Sequence, residues 1–157
     1  MIVWNKTYEV LREFAIRLRN EYQDKLIQDN KIATGELLNS VEYIIEKDGR
    51  SISVSLQLED YYRYVEEGRK PGRFPPVDKM LEYIRVKPII PDERTGRIPD
   101  ERQLAYLIGR KIATEGIEPG YQLRDTKERL FREFENRIEE AITQDITENI
   151  TIIFSEF

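Results

Sequence analysis

Histidine and cysteine are both absent from the 157 residues. Together these absences remove the side chain that most often acts as a base near neutral pH, the nucleophilic thiol, and the usual ligands of zinc. Catalytic templates built on those groups are excluded. Without cysteine there is no disulfide to report a redox compartment. No apolar run approaches the roughly 20 residues that cross a bilayer, and residues 1–6 lack the basic segment, apolar block and small-residue cleavage site of a secretory leader. Synthesis in the cytoplasm, with no membrane partner, is the expectation. An excess of basic charge is missing as well. Lys and Arg number 25 against 30 Asp and Glu, a formal charge of −5, which favours solubility and gives no general attraction to phosphate or anionic lipid. Any contact with nucleic acid has to be local.

What is present is enough for a folded body. Hydrophobic residues make up 39% and charged residues 35%, more polar than average but well above the apolar-poor composition of disordered chains. The length suits one core, so a single domain over 1–157 is expected. No internal repeat or low-complexity linker interrupts it.

Periodicity lays out the elements. From Trp4 to Asp29, the residues Trp4, Tyr8, Leu11, Ala15, Leu18, Tyr22 and Leu26 recur in steps of three or four, a long amphipathic helix with Val10 and Phe14 in an adjoining row. Thr34 caps a brief helical turn. Val41–Glu46 and Ser51–Leu58 read as strands, the second with Ile52, Val54, Leu56 and Leu58 alternating with polar residues. Asp48-Gly49 between them supplies a pair that tolerates positive φ, hence an antiparallel hairpin with a tight turn. Asp60–Glu67 makes a short helix ended by Gly68 and followed by the Pro- and Gly-rich segment 69–76, a loop of fixed shape. Tyr61 and Tyr64 share a face with Val65 there and are expected to bury their rings. The alternative for Tyr61, Tyr62 and Tyr64 is a base-stacking platform for single-stranded nucleic acid.

Val77, Met80, Leu81 and Ile84 repeat at helical spacing, and Pro88, Pro91 and Pro99 then hold the chain in an extended excursion over 87–99, the candidate for flexibility. A further helix opens at Asp100 or Glu101 with Leu104, Leu107, Ile108, Lys111 and Ile112 on one side, and Gly116 ends it. The last long helix spans Asp125 to Asn149, with Leu130, Phe131, Phe134, Ile138, Ala141, Ile142 and Ile146 inward. Ile150 to Phe157 is rich in β-branched and apolar residues and reads as a terminal strand, with Ile150, Ile152 and Phe154 on one face. It either joins the hairpin as a third strand or adds to the sheet of another subunit, because an unpaired apolar edge invites aggregation. The fold class expected is therefore α+β: long N- and C-terminal helices and short helices packed on a small antiparallel sheet.

Three blocks carry a likeness to a known family. Thr34-Gly35-x-Leu37-x-x-Ser40 leads directly into the hairpin. Tyr61, Tyr64-Val65-Glu66, Gly68-Arg69-Lys70-Pro71-Gly72 and Pro75-Pro76 form an aromatic turn, an acidic residue and a basic Gly-Pro loop. Leu104-Ala105-Tyr106-Leu107-Ile108 is followed by Arg110-Lys111-Ile112, Gly116-Ile117 and Pro119. In this order, over residues 34–121, they resemble the head-tail joining and tail-completion minor structural proteins of tailed bacteriophages. Tyr83 stands where members of that family often carry tryptophan, and the apolar tail from Ile150 is longer than theirs. The resemblance implies a structural virion protein made in the host bacterial cytoplasm. It would form a homo-oligomeric ring in the neck, between portal and tail, around the DNA channel, with no cofactor and no enzymatic activity.

On that reading the subunit interface draws on the pre-shaped loop. Gly68 and Gly72 permit backbone angles closed to other residues, while Pro71, Pro75 and Pro76 reduce the conformations of the free chain. Arg69, Lys70 and Arg73 are expected to meet Glu59, Asp60, Glu66 or Glu67 of a neighbouring subunit. The same cations could instead touch DNA passing through the channel, or lie solvated at about 0–1 kcal/mol per surface pair. Two other functions compete. One is a DNA-binding adaptor using Arg69 to Arg73, and the other is a metal-dependent nuclease with Glu59, Asp60, Glu66 and Glu67 as oxygen ligands and Lys70 beside them. The spacing of those acids matches no nuclease signature.

Overall fold

The computed structural model describes residues 3–29, 35–59, 62–86, 96 and 100–155. Among them the elements run α1 (Lys6–Gln28), α2 (Glu36–Ser40), β1 (Glu42–Lys47), β2 (Ile52–Gln57), α3 (Tyr62–Glu66), α4 (Val77–Val86), α5 (Glu101–Glu115) and α6 (Gln122–Ser155). The fold is α+β, with long helices near both ends and a two-stranded antiparallel sheet. Packing groups the chain into two compact units. One comprises Met1–Asp29, Ser40–Leu58 and Gln122–Phe157, the other Asn30–Asn39 and Glu59–Tyr121. The capping position Thr34 and the excursion at 87–99, apart from Gly96, lie outside the described residues.

In the first unit α1 packs along α6. Of the stripe read from the sequence, Trp4, Ala15, Leu18, Tyr22 and Leu26 are inside, with Phe14 from the adjoining row, while Tyr8 and Leu11 are half-buried. Phe14 and Leu18 meet Leu130 and Phe134 in the core, and Val10, Leu56, Leu123 and Ile138 pack against them. The rings of Phe14 and Phe134 meet edge to face, with centroids 5.7 Å apart at 71°. Burial of side chains of this size contributes about 1.5–3 kcal/mol each. The hairpin packs on α1, and Leu56 reaches the core shared with α6; along β2, Ile52, Val54 and Leu56 are half-buried while Ser53, Ser55 and Gln57 are exposed. Its register runs from Glu42↔Gln57 to Lys47↔Ile52.

The hairpin turn is built differently from the sequence expectation. Gly49 is not among the positive-φ glycines. The turn instead closes on the Asp48 carboxylate, whose Oδ1 accepts the amides of Arg50 at 2.6 Å and Ser51 at 2.7 Å, while the Asp48 amide donates to the Ser51 carbonyl at 3.0 Å. A short acidic side chain can thus stand in for a backbone turn. Those amide bonds hold the Asp48 carboxyl below its ordinary pKa.

Two expectations for the C-terminal part of the chain are corrected. Phe131 is 50% exposed and does not share the face of Leu130 and Phe134. It lies one residue from Leu130, about 100° around the helix, which carries it off the buried stripe. The expected C-terminal strand is also overturned, since α6 continues unbroken to Ser155. No Gly or Pro occurs after Gly120 to stop the helix, and extending a formed helix adds a hydrogen bond for each residue fixed. Thr151, in the segment expected as a strand, turns its hydroxyl back onto the helix, Oγ1 donating to the Thr147 carbonyl at 2.9 Å, as Thr147 Oγ1 does to the Thr143 carbonyl at 2.7 Å. Ile150 is 48% exposed; the side chains of Ile152 and Phe154 lie outside the described set.

In the second unit α4 packs against α5. Ile84 and Ala105 are buried, and the Gly109 surface is covered by Phe74, whose ring a Cβ at that position would meet at 2.6 Å. Leu104, Ile108 and Ile112 are half-buried beside this line. Leu107 and Lys111, expected on the same side, are exposed. The packed face of α5 centres on Ala105 and Gly109, and Leu107, two positions from each, falls about 160–200° around the helix.

Candidate functional site

The loop at 68–76 is a strap fastened to the segment that follows α5. Arg69 and Ile117 exchange both backbone hydrogen bonds at 2.8 Å, an isolated antiparallel bridge. Further along, the Gly72 amide donates to the Ala113 carbonyl at 2.8 Å, and the Gly120 amide donates to the carbonyls of Val65 (3.0 Å) and Glu66 (3.1 Å).

Two glycines make this approach possible. Gly68 has φ +69°, and a Cβ there would collide with the Ile117 carbonyl and sit 2.7 Å from the Pro119 nitrogen. Gly116 has φ +82°, and a Cβ would run into the Arg69 carbonyl and approach Pro71 at 3.1 Å. Each glycine admits the backbone of the opposite segment at a conformation other residues rarely adopt. The strap is therefore fixed by paired backbone as well as by its prolines. Pro75 is buried and anchors the far end, and the Arg69 guanidinium donates to the Arg73 carbonyl at 2.7 Å, closing the strap on itself.

The other expected site residues fall in different places. Lys70, Pro71, Gly72 and Arg73 are exposed along the strap. Glu59 and Glu67 are exposed, whereas Glu66 is only 6% exposed and so is withdrawn from any surface on which a neighbouring cation could reach it. Asp60 and Tyr61 lie outside the described residues. Tyr64 is 56% exposed, which corrects the expectation that its ring is buried; in the single turn of α3 it is Glu66 that points inward.

Among the described residues, no group of three or more Asp or Glu is arranged to hold a metal ion, and no helix is long and apolar enough to cross a membrane.

One feature next to the strap escaped the sequence reading. Phe74 stacks on Tyr106 of α5 with centroids 5.7 Å apart and planes at 28°, yet Tyr106 stays 58% exposed. Arg102 and Arg110, also exposed, lie one turn to either side of it. The i, i+4, i+8 spacing of Arg102, Tyr106 and Arg110 was available in the sequence, but nothing there placed the strap beside it.

The geometry offers charge, a stiff edge and exposed aromatic area, and the chemistry it suits is contact. No family model, no curated protein and no solved structure matches this chain.

Proposed function

We propose that this chain is a non-catalytic structural subunit of a tailed-bacteriophage particle, assembling into a ring at the head-tail junction that connects portal to tail around the DNA channel. The observation that carries the reading is the strap, a surface loop whose backbone is bridged at Arg69–Ile117 while Lys70 to Arg73 stay exposed. A segment already fixed loses little conformational freedom on docking, which suits an edge that repeats the same contact in every copy of a ring. Such head-to-tail contacts close by rotation, and circular repetition lets individually weak contacts suffice. The ordered blocks of residues 34–121 support the assignment to the phage neck.

The test is the mass of the purified protein in solution, alone and with the portal protein of the same particle, for the wild type and for Lys70→Ser/Arg73→Ser. Arg69 is left in place because it closes the strap. The wild type is expected to form an oligomer or a portal complex that the double variant loses, with its thermal unfolding unchanged. A wild-type chain that stays monomeric at high concentration and ignores portal would count against the reading.

A further inference from the structure

Ion pairs along and between α1 and α6 engage part of the first unit's charge. Arg17 pairs with Glu21 (2.9 Å) and Glu133 (3.0 Å), Arg129 with Glu21 and with Glu133 (2.7 Å), Arg137 with Glu13 (2.5 Å), and Lys6 with Glu148. Two groups of exposed charges outside these pairs lie in line along the surface.

On α6, Glu128, Glu135 and Glu139 are exposed and have no ion-pair partner among the described residues; with Phe131 they form one line of helical neighbours at steps of three and four. On the other unit, Lys70 and Arg73 of the strap and Arg102 and Arg110 of α5 are likewise exposed without an ion-pair partner among the described residues. Arg102 and Arg110 flank Tyr106 one helical turn to either side, Arg73 precedes the Phe74 that stacks on it, and Leu107, next in sequence, is 51% exposed. On the first, three glutamates outnumber Arg132, which shares their line, and Phe131 lies among them; the second is cationic around an aromatic stack. The two are complementary in charge, and each carries exposed aromatic area.

We infer that the face made by Lys70, Arg73, Arg102, Tyr106 and Arg110 of one copy seats on the Glu128–Phe131–Glu135–Glu139 stripe of a second copy of this chain. This deepens the ring reading and rests on it: the acidic partner of the strap is α6 of the neighbour, in place of the Glu59 to Glu67 cluster from which Glu66 is withdrawn. The contact is heterologous, since the two surfaces differ, so it propagates from copy to copy and closes only as a ring. Opposed charges set the register and the rate of encounter, while Tyr106 and Phe131 supply apolar area at the centre.

The absence of native cysteine makes the test direct. Tyr106→Cys and Phe131→Cys are prepared separately and oxidised mildly, alone and mixed, with and without portal protein. The mixture is expected to give disulfide-linked dimer at least about tenfold faster than either variant alone; equal yields in all three samples would overturn the contact. In parallel, Lys70→Glu/Arg110→Glu and Glu135→Lys/Glu139→Lys are each expected to weaken self-association by about tenfold or more, and mixing the two variants to restore it.

Wild-type association that neither reversal touches would overturn this interface and leave the ring reading standing. A wild type that never associates, with or without portal, would take down both. Binding of labelled duplex DNA that is lost in Lys70→Glu/Arg110→Glu, while self-association is unaffected, would give this face to nucleic acid and overturn the inference.

Discussion

The buried carboxylate of Asp145, near the end of α6, accepts the backbone amide of Thr7 at 2.8 Å and that of Lys6 at 3.0 Å, and so caps a helix 138 residues earlier in the chain. Asn5, at the N-cap position of α1, makes no capping bond with its own side chain. The first amides of a helix have no partner within it, and here the partner is tertiary. Asn149 completes the clasp. Its Oδ1 accepts the Val3 amide at 3.0 Å, and its Nδ2 donates to the Val3 carbonyl at 3.3 Å. Replacing Asp145 by Ala should therefore leave two amides without an acceptor and remove charge from the positive end of α1. We expect a loss of about 2–4 kcal/mol from the combined cap and unsatisfied-donor costs, read as a lowered midpoint in urea unfolding.

The same carboxyl gives the protein an acid limit. Burial alone would raise its pKa, but the amides of Thr7 and Lys6 more than reverse this and hold it below the ordinary value of 3.8. A group whose folded pKa is depressed contributes stability above its unfolded pKa and loses it as pH falls through the folded one. The stability difference between wild type and Asp145→Asn should thus be constant from neutral pH down to about 4 and shrink below it. A difference that instead grows on acidification would remove the cap from the account.

Strap integrity depends on Gly68 and Gly116. Gly68→Ala places a Cβ against the Ile117 carbonyl and strains a left-handed backbone, for which about 1–3 kcal/mol is expected. Amide hydrogen exchange should locate the damage: the amides of Arg69 and Ile117, which each donate to the other segment, should exchange faster while those of α1 stay protected. Unchanged protection at Arg69 would mean that the bridge does not hold the strap.

Much of the first unit is legible in the sequence because its signal is periodic. The α1 stripe ending in Tyr22 and Leu26, and the alternation of Ile52, Val54 and Leu56, follow from repeats of 3.6 and 2 residues. The failures have a common cause. Phe131, one position from the buried Leu130, and Leu107 and Tyr64, two positions from the buried Gly109 and Glu66, are apolar or aromatic residues that hydrophobicity alone draws inward. Gly49 carries a turn signal, but the Asp48 carboxylate beside it forms the turn. The fixed shape of the strap could be read from its glycines and prolines, whereas its partners Ala113, Ile117 and Gly116 lie over 40 residues on and leave no local trace. The clasp of Asp145 on Thr7 is invisible for the same reason.

The end of α6 separates two conformations that Ile150 to Ser155 could adopt by local preference, because β-branched residues favour strands on propensity yet follow context. Backbone chemical shifts of Ile150 and Thr151 are expected to be helical, with exchange protection falling gradually toward Ser155. Strand-like shifts in the isolated protein would return this segment to the extended form.

A reconstruction of the intact particle tests the central claim most directly. The account predicts multiple copies of this chain closed into a ring between portal and tail, with Lys70 to Arg73 of each copy facing the next. A particle whose head-tail junction contains no copy of the chain would contradict it.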